Sequence, residues 1–255
     1  MQQRIVTAII ALIILIPLII YGNWPFIVMT YLFAIVGLYE LMRMLDPKKG
    51  ILYTVISVGF LMILLNIEVE NDIKLETFVI FAIILFIITV LTKNKFTFQQ
   101  ASFLFLATFY IGISFHMLIE IRLLGLNYLL FILFTIWATD SGAYFVGKSV
   151  GKRKLWPEIS PNKTIGGAIG GIVIAMIVAV IFQVIYPFDI SYTMVIVIAC
   201  TISIFGQMGD LVASAIKRQY GIKDYGKLFP GHGGILDRLD SLLFVLLMLF
   251  VLPLF

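Results

Sequence analysis

Four carboxylates in this sequence stand where a carboxylate is costly. Asp140, Asp210, Asp237 and Asp240 each fall at or within the end of a long apolar run. Holding an ionised group near a membrane interior costs roughly a few kcal/mol, so such groups face polar cavities and have partners. Asp237 and Asp240 are three residues apart. On a helix they share one face, about 5–6 Å apart. Two like charges at that spacing favour a bound cation. Magnesium suits them, because it takes carboxylate oxygens together with waters and substrate phosphates. The alternative is ion pairing with Arg238, Lys217 or Arg218.

Cations gather in the same region. Lys163, Lys217, Arg218, Lys223, Lys227 and Arg238 offer guanidinium forks and ammonium point charges, both of which bind phosphate. Attraction to anionic lipid headgroups, worth about 1 kcal/mol per charge near the surface, explains them equally well. Just before Asp237 runs Gly231-His232-Gly233-Gly234. Glycines permit turns in which backbone amides approach a phosphate closely. His232 among them is placed to donate to a phosphate oxygen or to handle a proton; a structural role is the alternative.

These residues need a scaffold, and the composition specifies its kind. The chain is 62% hydrophobic and 13% charged over 255 residues, with mean hydropathy +1.10. A soluble domain is about 45–50% apolar and about 25% charged. Lipid must cover the remaining surface. Runs such as Ile9–Ile20 and Ile172–Ile181 do not alternate, which argues for helices over a transmembrane β-barrel. The first run is long and lacks a small-x-small cleavage site, so it reads as a retained helix and not as a signal peptide. The single Cys200 lies in an apolar run and reads as packing.

The expected fold is an all-α, polytopic membrane bundle of about nine helices: 5–22, 26–45, 51–67, 75–92, 101–120, 127–146, 165–186, 192–209 and 241–255. With the N-terminus cytoplasmic, the inner segments are 1–4, 46–50, 93–100, 147–164 and 210–240. Of 18 Lys and Arg residues, all but Lys74 and Arg122 fall on or beside them. That is the positive-inside bias, and it accounts for the net charge of +4 without nucleic-acid binding. The outer loop 67–76 is acidic. Two inner segments, 147–164 and 210–240, are long and polar, and function is expected there. The chain accordingly divides into N-terminal helices, 1–125, offering lipid access or dimer contacts, and a catalytic region, 126–255.

One motif is rejected. Gly142–Ser149 fits G-x-x-x-x-G-K-S, but a phosphate-binding loop of that type needs a preceding strand and a following helix in a soluble nucleotide fold. Here it ends a membrane helix. Gly142, Gly147 and the pairs Gly166/Gly170 and Gly167/Gly171 read instead as close helix-packing positions.

Segment 214–240 reads SAIKRQYGIKDYGKLFPGHGGILDRLD. It resembles the signature of phosphatidate cytidylyltransferases, also called CDP-diacylglycerol synthases, at Ser214, Lys217, Arg218, Lys223, Asp224, Gly226, Pro230, His232, Gly233, Gly234, Asp237, Arg238 and Asp240. Gly206–Leu211, Trp137–Tyr144 and Lys154–Thr164 resemble the upstream motifs of that family. The likeness runs through about residues 130–245; the N-terminal spans match in hydropathy only. It departs at Gly166, where the family pattern S-P-x-K-T-x-E-G has Glu. If that Glu helps to hold metal or nucleotide, catalysis here is weaker or differently arranged.

The resemblance implies a reaction of CTP with phosphatidic acid to give CDP-diacylglycerol and pyrophosphate. It implies a homodimer in the cell membrane, multi-pass, with its site facing the cytoplasm and embedded in membrane lipid. It implies Mg2+, with the number of metals and a second cation left open. On this reading Asp210 and Asp237 are metal ligands with Asp240 close by. Lys217, Arg218, Lys223 and Arg238 hold the triphosphate and the lipid phosphate. Lys163 and Ser160 belong to the phosphate-binding set from the other loop, and His232, Gly233 and Gly234 contact the leaving pyrophosphate. A CTP-dependent lipid kinase and a transporter are the competing classes. No CDP-alcohol phosphotransferase motif is present, nor an internal repeat of the kind transporters carry.

Overall fold

The computed structural model describes residues 2–231 and 233–252. Among them are nine α-helices: α1 (Gln2–Tyr21), α2 (Asn23–Leu45), α3 (Gly50–Leu65), α4 (Asn71–Leu91), α5 (Phe98–Leu124), α6 (Leu126–Val150), α7 (Ile165–Ile185), α8 (Tyr192–Gln219) and α9 (Leu236–Val251). Six of these, α2 and α4–α8, are long and apolar enough to cross a membrane. Helices α3 and α9, at 16 residues each, are about 24 Å long at 1.5 Å per residue, against a hydrocarbon core of about 30 Å.

Most helix ends shift from the sequence reading by one to ten residues, and three of the shifts bear on charged residues. Helix α4 begins at Asn71, so Lys74 is not in a solvated loop: it is 6% exposed, with Nζ 3.2 Å from Nε2 of His116. Helix α8 continues to Gln219, and so 210–219 is helix, not loop. At 28 residues it is about 42 Å long and outruns the hydrocarbon core. Lys217 and Arg218 in its last turn complement the helix dipole. Helix α9 starts at Leu236, ahead of the expected 241, and Asp237 occupies its first turn, where a carboxylate is favoured by the dipole. The helical fold also carries one small antiparallel pair, β1 (Lys154–Trp156) and β2 (Ser160–Thr164). Residues 142–149 are helical throughout, with no strand ahead of them, so the phosphate-loop geometry is absent there.

By contact the chain forms two compact units. The first comprises Met1–Leu123 with Asp224–Arg238, and the second Leu124–Lys223 with Leu239–Phe255. In the first, Leu61, Phe81, Leu104, Ile111 and Phe115 are buried, and Phe60 stacks on Phe81 at 4.2 Å between ring centroids. Arg122, one of the two cations outside the inner segments, has a structural role. Its Nε and Nη2 donate to the carbonyls of Ile19 (2.7 Å) and Ile20 (2.8 Å). Terminal carbonyls of a helix lack intrahelical partners, and Arg122 supplies them for α1. Its guanidinium fills the space where Gly22, at φ 69°, has no β-carbon.

In the second unit α7 packs along α6 and α8, and small residues set the distance. A β-carbon on Gly171 would lie 2.8 Å from the carbonyl oxygen of Thr139, and one on Gly170 would strike Val146. Thr139 also donates to Ser203 Oγ at 2.9 Å, joining α6 to α8 through a buried hydroxyl pair. Substitution Gly171→Leu therefore pushes α6 and α7 apart, at about 1–3 kcal/mol for overpacking. A melting temperature in detergent lowered by several degrees is expected. Gly59→Ala, at a helical glycine with open space around its β-carbon, should not lower it. Equal melting temperatures for Gly171→Leu and wild type would contradict the close approach.

Candidate active site

In the second unit five elements, α6, β1, β2, α7 and α8, converge on one cavity. Strand β2 runs directly into α7. Thr164 closes the junction as N-cap, its side chain accepting from the Gly167 amide at 3.1 Å. This fixes Lys163, the residue before the cap. Its Nζ lies 2.6 Å from Asp210 Oδ2 on α8 and donates to the Gln207 carbonyl at 3.4 Å. Gln207 in turn donates to the Ala168 carbonyl at 3.3 Å. Asp140 comes from α6 and is electrostatically coupled to both Asp210 and Lys163.

The cavity has a volume of about 600 Å³ and is lined by Asp140, Tyr144, Lys148, Lys154, Asn162, Lys163, Gln207 and Asp210, among others. Two carboxylates and three ammonium groups share its walls. That is a charge set for a polyanion accompanied by a cation.

Asp240 belongs to the same unit. It is coupled to Asp210, Asp140 and Lys217, and its Oδ1 accepts from the Ser241 amide at 2.9 Å. Gly209 explains how α8 and α9 come so close. A β-carbon there would lie 2.6 Å from Phe244 Cβ and 2.8 Å from the Asp240 carbonyl oxygen. The glycine before Asp210 therefore brings Asp210 and Asp240 onto neighbouring turns of two helices.

Among the described residues no three Asp, Glu, His or Cys side chains close around one point. A calcium-like or zinc-like cage is therefore not built there. Magnesium needs no such cage: it keeps waters and is held by one or two carboxylates plus substrate phosphates. Asp140 and Asp210, facing a roomy cavity with three lysines, fit that mode.

The first unit holds the loop ahead of α9. Gly231 and Gly233 have φ of 79° and 89°, left-handed values that favour glycine. Phe229 and Gly233 exchange backbone bonds of 2.9 and 3.1 Å around the turn. Asp237 is buried, and its Oδ2 accepts from the amides of Tyr225 (2.8 Å) and Gly234 (2.9 Å). The amides of Gly233 and Gly234, expected to approach a phosphate, are thus occupied by Phe229 and Asp237. These glycines shape the loop instead. His232 lies outside the described residues.

The remaining expected residues are placed as follows. Arg218, Lys223 and Arg238 are exposed. Lys217, in the last turn of α8, couples to Asp240. Ser160 opens β2 and is not in the cavity lining.

The sequence profile of the cytidylyltransferase family matches residues 2–255. The chain belongs to the cytidylyltransferase family. Similar proteins include three named phosphatidate cytidylyltransferase. That of Bacillus subtilis (strain 168) is 48% identical, over 99% of this chain and 97% of the relative. That of Staphylococcus saprophyticus is 43% identical, over 99% and 98%. That of Staphylococcus aureus (strain COL) is 40% identical, over the same shares. The likeness thus extends across the N-terminal helices, beyond the C-terminal half that carries the motifs.

For this cytidylyltransferase-family chain, sequence reasoning missed two sets of residues. Lys148 and Lys154 line the cavity; their basic run, 148–154, was the available signal. The other is Glu40, a lone carboxylate in apolar α2, which was overlooked although an ionisable group in such a helix is a warning in itself.

Proposed function

We propose that this chain transfers the CMP moiety of CTP to phosphatidic acid, giving CDP-diacylglycerol and pyrophosphate in phospholipid biosynthesis. The observation that carries it is the cavity holding Asp140 and Asp210 against Lys148, Lys154 and Lys163, in a chain similar end to end to phosphatidate cytidylyltransferases.

In the reaction a phosphate oxygen of phosphatidate forms a bond to the α-phosphorus of CTP. The bond from that phosphorus to the bridging oxygen breaks, and pyrophosphate leaves with the electron pair. Both reactants are anions, so bringing them together is an electrostatic task, and positioning supplies most of the catalysis. Lys163, Lys148 and Lys154 bind the triphosphate and lower its repulsion toward the lipid phosphate. Lys163 is held in place by Asp210 and by the capped start of α7. A phosphate monoester is largely ionised near pH 7, so no general base is assigned. Asp140 and Asp210, which line the cavity, would hold magnesium, with Asp240 beside them, and the ion would neutralise phosphate oxygens. Asp237, three residues before Asp240 on α9, is retained as a candidate ligand with its Oδ2 committed to the loop.

On this reading nine helices cross the cell membrane, the N-terminus is cytoplasmic and the cavity opens to the cytoplasm. Support comes from the 16 of 18 Lys and Arg residues on the inner segments. A homodimer is the assembly that the family resemblance suggests.

The test is purified protein with phosphatidate micelles, Mg2+ and labelled CTP, with and without EDTA. Label in the lipid phase that matches released pyrophosphate and disappears with EDTA is expected. No labelled lipid from folded protein would overturn the reading. The same assay decides the role of Gly166. A β-carbon there would lie 3.5 Å from Gly151 Cα and 3.7 Å from the Val150 carbonyl oxygen, ordinary contacts. Gly166→Glu should therefore fold and retain transfer. It gains about 1 kcal/mol from leaving glycine in a helix and a few tenths from a negative charge in the first turn. A lower melting temperature for that variant would contradict the fit.

A further inference from the structure

Glu40 stands on α2, 4% exposed, beside the buried apolar residues Leu38, Leu41 and Met42. Its two oxygens are used separately. Oε1 accepts from the Ile235 amide and Oε2 from the Leu236 amide, each at 3.0 Å. These bonds reach across 195 and 196 residues of sequence. Two glycines of the signature loop are cut to the same side chain. A β-carbon on Gly226 or on Gly234 would fall onto the Glu40 carboxylate. One turn earlier on α2, a β-carbon on Gly37 would lie 2.9 Å from Leu236 Cδ2. One stripe of α2 thus receives the loop at Gly226, Gly234, Ile235 and Leu236.

The loop closes on itself through the next residue. Asp237 Oδ2 ties the Tyr225 amide to the Gly234 amide. Two carboxylates therefore hold four loop amides, and charge-assisted bonds of this type are the stronger kind. The amides that Glu40 holds are those of the two residues directly before Asp237. They set where α9 starts and in which direction its first carboxylate points.

We propose that Glu40 is a positioning residue for nucleotidyl transfer: it fixes the loop at Tyr225, Gly226, Gly234, Ile235 and Leu236 and the first turn of α9, and touches neither substrate. The inference rests on the function proposed above. It also gives Gly226 a purpose, and Gly234 one other than phosphate contact, namely clearing the space that the Glu40 carboxylate fills.

The experiment compares wild type with Glu40→Gln, which keeps the volume, and Glu40→Ala. Hydrogen–deuterium exchange is followed across 224–240, together with kcat and KM for CTP. Expected for Glu40→Gln is exchange about tenfold faster at 234–236, and kcat lower by about tenfold. KM should stay within about threefold, because a displaced loop impairs the transition state more than ground-state binding. Glu40→Ala should show the same pattern with larger changes. Gly226→Ala should be impaired on its own, and its loss should not add to that of Glu40→Ala, since both act through one contact. Wild-type kcat in both Glu40 variants would overturn the inference. So would lost turnover with unchanged exchange at 234–236, or full additivity with Gly226→Ala. An inactive wild-type chain would sink the proposed function, whereas unchanged exchange in the variants would sink this inference alone.

Discussion

Asp210→Asn is expected to cut transfer about a thousandfold without unfolding the protein. The change is nearly isosteric and leaves an acceptor for Lys163 Nζ, now 2.6 Å from Oδ2. What it removes is charge. Asp210 lines the cavity with Asp140 and lies near enough to Asp240 for the two carboxylates to repel, so it belongs to the negative cluster that a hard cation would neutralise. Loss of one preorganised electrostatic group at a reaction centre costs about 10²–10³ in kcat. A fall of about a thousandfold is expected, with the Mg2+ concentration for half-maximal rate raised. Stability should move the other way. Asp140, Asp210 and Asp240 repel one another in the absence of a cation, so the variant should melt at the wild-type temperature or above it, the usual trade between function and stability. Steady-state rates against Mg2+, with a melting curve for each variant, check both parts. A rate within tenfold of wild type would remove Asp210 from the site.

The second large effect concerns Asp237, where Asn and Ala should differ. Asp237→Ala deprives two buried amides, those of Tyr225 and Gly234, of their acceptor. Each buried donor left without a partner costs about 1–3 kcal/mol. The melting temperature should fall sharply, and turnover with it. Asp237→Asn keeps an oxygen for the amides and loses the charge. It should remain folded, with a melting temperature near wild type, and yet lose at least about a hundredfold in kcat. Activity near wild type in Asp237→Asn would mean that Asp237 serves the loop alone and is no metal ligand.

The sequence reveals the apolar helices because membrane spans leave long uninterrupted runs. The carboxylates at their ends stand out because an ionised group there is costly. Asp140, Asp210 and Lys163 come together in one cavity, as types of residue that need each other should. Other features left no local signal. Strand β2 contains Pro161 and no alternation, so the β1–β2 pair does not read as a hairpin. Helix α8 runs on through 210–219, where Asp210, Lys217 and Arg218 interrupt the apolar run although Leu211 and Ala213 stay buried, so a reading that ends a helix at the first charge stops too early. Glu40 does stand out as a carboxylate in an apolar helix, but its role is not legible: its partners are backbone amides nearly two hundred residues away, and a backbone amide carries no residue identity. For the same reason Gly234 reads as a phosphate contact and Gly226 as a signature position without a role, whereas a β-carbon on either would fall onto the Glu40 carboxylate.

The most direct test of the account follows two labels in parallel. Purified protein is given phosphatidate with CTP labelled at the α-phosphate in one reaction and at the γ-phosphate in the other. CMP transfer predicts that only the α-label enters the lipid phase, while the γ-label leaves as pyrophosphate. The γ-label in the lipid would mean that the terminal phosphate moves, and the chain would then be a lipid kinase and not a cytidylyltransferase.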